Sequence, residues 1–107
     1  MPAPTVVSDF LECVRKSSVL EPQRLEEYLA RIGDAAPATP ARMADALVRD
    51  GLLTRFQADQ LLRGRWRNFI LCGKYTILEP LGAGGMGTVY LCSHKIMRRP
   101  VAIKVLP

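Results

Sequence analysis

Histidine and tryptophan occur once each in this 107-residue chain, aromatic residues make up 7% of it, and its three cysteines stand far apart at Cys13, Cys72 and Cys92. Disulfide frameworks and zinc sites need tighter groupings, so this spacing argues against both and leaves three reduced cysteines as the expectation. His94 falls in a basic turn and reads as a solvated surface residue. Long apolar runs are missing as well. Phe69-Ile70-Leu71-Cys72, the longest near the middle, is far too short to span a bilayer, and the N-terminus lacks a basic-then-apolar signal. The expectation is a cytoplasmic protein with no membrane segment. Acidic residues are scarce relative to basic ones, 10 against 15, giving a net charge of +5. The surplus lies at Arg63, Arg65, Arg67 and Lys74 around Trp66, and at Lys95, Arg98 and Arg99. A basic cluster beside an aromatic can serve nucleic acid or an acidic surface. A solvated linker between domains is the simpler account, and no nucleic-acid partner is expected.

What is present is ordinary for a globular chain: 49% hydrophobic and 23% charged residues, which argues against global disorder. The length allows one compact domain or two very small ones, each marginal alone. Residues 1–66 read as a helical domain with an internal repeat. Shifting the chain by 33 positions pairs Phe10 with Met43, Val14 with Leu47, Leu20 with Leu53 and Tyr28 with Leu61. Each unit, 8–32 and 39–64, then holds two helices joined by a turn. Ser8 is expected to cap the first helix, and Glu21-Pro22 to restart the chain as a helix. Thr39 precedes Pro40 at a first helical position, Gly51 can end that helix and Thr54 can cap the next. Apolar stripes at Phe10, Leu11 and Val14, at Leu25, Tyr28, Leu29 and Ile32, at Met43, Ala44, Leu47 and Val48, and at Phe56, Leu61 and Leu62 predict four amphipathic helices in a small bundle.

After a linker at 67–73 the pattern changes. Gly82-Ala83-Gly84-Gly85-Met86-Gly87-Thr88-Val89 forms G-x-G-x-x-G-x-V, and Val101-Ala102-Ile103-Lys104 follows, with Lys104 fifteen residues beyond Val89. Glycines let a backbone approach polyphosphate because no Cβ intervenes. A dinucleotide fingerprint would open a helix directly after the glycines, whereas Thr88-Val89-Tyr90-Leu91-Cys92 reads as a strand. A nucleotide-triphosphatase P-loop would place Lys directly after the last glycine, and Thr88 stands there. For the glycines alone, a hairpin turn without a ligand is an equal alternative; the spacing to Lys104 argues for phosphate.

Period-two alternation predicts three antiparallel strands at about 74–81, 88–93 and 99–106. On the last, Ala102 and Lys104 share one face, and Val101, Ile103 and Val105 the other. That apolar back and an open edge invite self-association. Pro80 removes a ladder donor, tolerable at an edge or beside an irregular loop. The fold class expected is α+β: a four-helix domain of two αα-hairpins followed by a three-stranded antiparallel sheet.

Residues Tyr75 to Tyr90, with Val101 to Leu106, resemble the start of a bacterial-type serine/threonine protein kinase domain. The resemblance covers about the last third of the chain and implies that 74–107 is the first part of a kinase N-lobe. It implies ATP as cofactor, with Mg²⁺ expected only in a full-length kinase. Leu81 and Val89 would close over the adenine, Ala102 would pack on its other face, and Gly82, Ala83 and the amides of Gly84, Gly85, Met86 and Gly87 would cover the phosphates. Lys104 would hold the α- and β-phosphates as the catalytic, phosphate-positioning lysine. The helix glutamate that would hold this lysine, the H-R-D-type loop and the D-F-G magnesium ligand would all lie beyond Pro107, so the chain alone is expected to be inactive and to bind ATP weakly or not at all. Helical extensions with a Gly-Leu-Leu-Thr-x-x-Gln-Ala-type hairpin, similar to 51–58, precede some bacterial kinase domains. The helices also show part of the pattern of cyclic-dinucleotide-binding repeats in bacterial secretion ATPases. A second class stays open: a non-catalytic interaction module whose bundle binds a protein partner and whose strands merely complete the fold.

Overall fold

The computed structural model describes residues 2–107. Four helices come first: α1 (Val7–Ser17), α2 (Pro22–Ile32), α3 (Pro40–Arg49) and α4 (Arg55–Leu62), with a short 3₁₀ turn at Gly33–Ala35. α3 begins 33 residues after α1, and α4 begins 33 residues after α2, matching the repeat read from the apolar spacing. The caps explain most of the boundaries. Thr39 Oγ1 accepts from the Arg42 amide at 3.2 Å, and Pro40 supplies a first helical residue that needs no amide partner. At α4, Thr54 and Gln57 form a full capping box. Ser8 is not a cap: α1 starts one residue earlier, on Val6, whose side chain makes no cap bond.

The stripes form the core. Phe10, Val14, Leu25, Met43, Leu47 and Leu61 are almost wholly removed from solvent. The α2 and α3 ends are tied where Tyr28 Oη donates to Asp50 Oδ2 at 2.6 Å, and Arg24 Nη2 donates to the Gly51 carbonyl at 3.3 Å. α4 departs from a simple stripe, burying Gln57, Ala58 and Leu61 while Phe56 is half-buried. It is sandwiched between the bundle and the sheet, so it needs two packing faces.

The sheet has four antiparallel strands in order β1-β2-β3-β4: β1 (Ile70–Leu71), β2 (Tyr75–Gly84), β3 (Gly87–His94) and β4 (Pro100–Val105). This corrects the three-stranded expectation. β1 is only two residues long, too short for alternation to reveal. It pairs because Cys72 (φ 52°) and Gly73 (φ 67°) make a tight turn of left-handed residues, closed by Lys74 N–H donating to the Leu71 carbonyl at 3.0 Å. β2 carries register shifts between Ile77 and Glu79 and between Pro80 and Gly82. Pro80 thus lies between two irregularities, where a missing ladder donor is tolerated.

Helices and sheet share one continuous buried cluster that runs from Phe10 and Leu61 through Phe69 to Ile77 and Cys92. Phe56 stands between Phe69 and Tyr90, with ring centroids 6.4 and 6.5 Å away. Val101 and Ile103 are packed against the same cluster, so the helices cover part of the apolar back of the sheet; Val105 stays 37% exposed. The outer edge of β4 has no strand partner among the described residues. Among the described residues no helix is long and apolar enough to cross a membrane.

Candidate functional site

The β2–β3 hairpin closes on the pair Gly84 and Gly87, leaving Gly85 and Met86 as its two-residue turn. Met86 is 73% exposed at the tip. Gly87 has φ +119°, and a Cβ there would run into the Val105 carbonyl oxygen and approach the Leu106 Cα to 3.2 Å. Only glycine suits that position. At Gly82, Gly84 and Gly85 a Cβ would meet nothing within 4 Å, so these three leave bare backbone facing open space.

Strand pairing fixes which residues share a face. Gly82 lies opposite Val89, and Val89 opposite Lys104, so the three make one row across the sheet. Beyond the intervening row of Pro80, Tyr90 and Ile103 comes Glu79, Leu91 and Ala102. Directly opposed residues project to the same side of a sheet and neighbours along a strand to opposite sides. Val89, Leu91, Ala102 and Lys104 therefore occupy one face, and Thr88, Tyr90, Cys92, Val101 and Ile103 the other. The first face is open: Gly82, Ala102 and Lys104 are exposed, and Val89 is half-buried. The second is the face packed on the helices. Leu81, 55% exposed, is the bulged residue between the Pro80–Tyr90 and Gly82–Val89 pairs. Ala83 pairs with Thr88. The structure thus brings Gly82, Val89, Ala102 and Lys104 together on one solvent-facing surface, with the glycine turn at its end. Lys104 makes no ion pair among the described residues. Nor does any group of three His, Cys, Asp or Glu side chains there cluster so as to hold a metal ion.

Two features escaped sequence reading. The first is the attachment of α4 to β2. Gln57 Nε2 donates to the Ile77 carbonyl at 2.7 Å and Thr54 Oγ1 donates to the Leu78 carbonyl at 2.5 Å, while Gln57 Oε1 accepts from the Thr54 amide at 2.9 Å. Ile77 N–H bonds to the Phe69 carbonyl, so this is the β1 side of β2, where that short strand has ended. The Thr-x-x-Gln pattern signals a capping box, but nothing in it signals the reach to a strand 20 residues away. The second is His94. Its Nδ1 accepts from the Ile96 and Met97 amides at 3.2 and 3.1 Å, and its ring meets Tyr75 edge-on at 5.2 Å. Rather than standing free in solvent, it holds the β3–β4 turn.

The two buried thiols are chemically quiet. Burial pushes both Cys13 and Cys92 above the ordinary thiol value, which disfavours the reactive thiolate.

Over 39 residues the chain is 51% identical to the serine/threonine-protein kinase pkn2 of Myxococcus xanthus. The match takes in 36% of this chain and 5% of the kinase, so the chain spans a small part of the curated relative's length. It supports a relationship to a serine/threonine kinase over that segment. No family model and no solved structure matches the chain.

Proposed function

We propose that this chain carries the ATP-facing hairpin of a serine/threonine protein kinase, and that the open face of Gly82, Val89, Ala102 and Lys104 is where the nucleotide sits. The observation that carries the reading is the row Gly82–Val89–Lys104: a glycine backbone, an apolar side chain and a cation aligned on the face that the helices leave uncovered. The 39-residue likeness to a kinase supports it. The residues suit ATP chemically. Bare backbone at Gly82, Gly84 and Gly85 admits phosphate oxygens, Lys104 offers an unpaired cation, and Leu81, Val89 and Ala102 offer apolar area for a base. When bound, ATP supplies the phosphoryl group that a kinase transfers to a protein hydroxyl. This chain's own share is binding and orientation: Lys104 holds phosphate charge, and the turn from Gly84 to Gly87 limits how the phosphates lie.

By itself the chain does not turn over. Its nucleotide face is one open wall, and phosphoryl transfer depends on positioning from several sides together with metal ligands and a base. The helical bundle grips the other face and acts as a protein-interaction or regulatory unit attached to the lobe.

Amide chemical-shift mapping with Mg-ATP tests the reading. Millimolar, weakly saturating shifts confined to Gly82–Gly87, Val89, Ala102 and Lys104, and lost in Lys104→Ala, are expected. Shifts centred on the helix-packed face, or none at all, would overturn it.

A further inference from the structure

On the helix-packed side, remote from Lys104, α4, the segment 64–69 and the sheet enclose a groove of about 510 Å³. Its floor is aromatic, formed by Phe56, Phe69 and Tyr90. Arg65, Trp66 and Arg67 form its rim. Tyr90 and Val89 are neighbours on β3, so the groove and the nucleotide-facing wall lie on opposite sides of the sheet.

From this groove we infer a docking site for a short acidic peptide segment of a partner protein, one that carries apolar side chains among its carboxylates. Three observations select that occupant. The first is charge. No acidic residue lines the groove, and neither Arg65 nor Arg67 joins any of the ion pairs of the described residues, which engage Arg15, Arg49, Arg55 and Arg98. The Arg67 guanidinium lies 4.7 Å from the Trp66 ring centroid and Lys16 Nζ lies 5.7 Å from it, so two cations flank the ring while Arg65 adds a third on the groove lining, and none of the three joins an ion pair among the described residues. The second is shape and chemistry. The volume falls in the ordinary range for a ligand pocket, about 300–1,000 Å³, and an aromatic floor rewards apolar side chains. The side-chain amides of Gln60 and Asn68, both on the lining, form no hydrogen bond among the described residues and can serve a peptide backbone. The third is order. Gly64 N–H donates to the Leu61 carbonyl and Arg65 N–H to the Gln60 carbonyl, each at 3.0 Å, so the rim is held in place before any partner arrives.

Nucleic acid is the weaker fit. Three cations are few against the roughly six to ten phosphate contacts of a salt-sensitive nucleic-acid binder, and the groove is a short cleft rather than a track along a backbone.

Trp66 is the chain's single tryptophan, so its fluorescence reports this rim alone. The probe is an end-blocked Glu-Glu-Leu-Phe-Glu-Glu peptide titrated into the 107-residue chain, against a control with Lys at every Glu position. We expect saturable, micromolar binding of the acidic peptide that weakens with salt and no binding of the control. The double variant Arg65→Gln, Arg67→Gln should weaken it about tenfold or more, one decade corresponding to 1.4 kcal/mol. Both positions are exposed, so circular dichroism should show an unchanged fold; Gln60→Ala, expected to weaken binding severalfold, gives an independent variant. Equal binding of the lysine peptide, absence of saturation, or undiminished affinity in the variants would overturn the inference. So would tighter binding of a single-stranded thymidine oligonucleotide, which would assign the groove to nucleic acid.

Discussion

The side-chain amide of Gln57 donates to the main-chain carbonyl of Ile77 at 2.7 Å, joining a helix N-terminus to the edge of a strand. The same side chain completes the α4 capping box, so one residue ends a helix and seals a sheet edge. Thr54 works beside it on the Leu78 carbonyl. Both carbonyls lie on β2 at and next to its first register shift, on the strand that leads to the glycine turn. An open β edge attracts other chains; here side chains close part of it.

Removing this anchor should loosen helices and sheet together. Gln57 is buried, so Gln57→Ala leaves the Ile77 carbonyl and the Thr54 amide without their partner and should cost about 1–3 kcal/mol. Thr54→Ala removes a cap and should cost about 0.5–2 kcal/mol. Denaturant unfolding followed by circular dichroism checks both; an unchanged midpoint for Gln57→Ala would show that the anchor contributes nothing.

Glycines of the turn should differ sharply under the same substitution. Gly87→Ala forces a Cβ onto the Val105 carbonyl at a positive φ, and a loss of about 1–3 kcal/mol is expected, with β3–β4 amides exchanging faster. Gly85→Ala meets open space and should change stability by no more than about 0.5 kcal/mol. Equal effects at the two positions would contradict the hairpin geometry.

Stability should show a plateau across neutral pH with one fall at each end. Arg49 and the Tyr28 hydroxyl hold the Asp50 carboxyl below its ordinary value of 3.8, so its contribution is full above that value and fades as pH falls through the lower folded-state one. Burial, then the hydrogen bond to Asp50, raises Tyr28 above its ordinary 10.0; that contribution is full below 10.0 and fades as pH rises through the higher folded-state value. Thermal melts across pH should lose part of the alkaline fall in Tyr28→Phe, the remainder belonging to the buried thiols of Cys13 and Cys92, and much of the acid fall in Asp50→Asn. A parent-like profile in both variants would locate the falls elsewhere.

Lys104 should matter to ligands and not to folding. It is exposed and makes no ion pair among the described residues, so Lys104→Ala should shift the unfolding free energy by no more than about 0.5 kcal/mol. Calorimetry of the chain with Mg-ATP should show only weak, millimolar binding, since its proposed site is a single open wall. Micromolar affinity abolished by Lys104→Ala would instead mean that the chain binds nucleotide tightly by itself.

Much of this was legible in the residues because it is local. The 33-residue repeat, the caps at Thr39 and Thr54, and the alternation that separates Lys104 from Ile103 all follow from chain periodicity and hydrogen bonds within a few residues. Tertiary structure decided the rest. β1 exists because Cys72 and Gly73 turn back two residues that look like linker, and positions equivalent in the repeat diverge: Arg24 bonds to the Gly51 carbonyl within the bundle, whereas Gln57 reaches across to the sheet. Phe56, Phe69 and Tyr90 come together beneath the exposed basic residues around Trp66, a packing that no local pattern foretells. A sequence encodes periodicity and propensity along the chain; which carbonyl an amide finds 20 residues away, and which face of a sheet a bundle covers, emerge only when the elements pack.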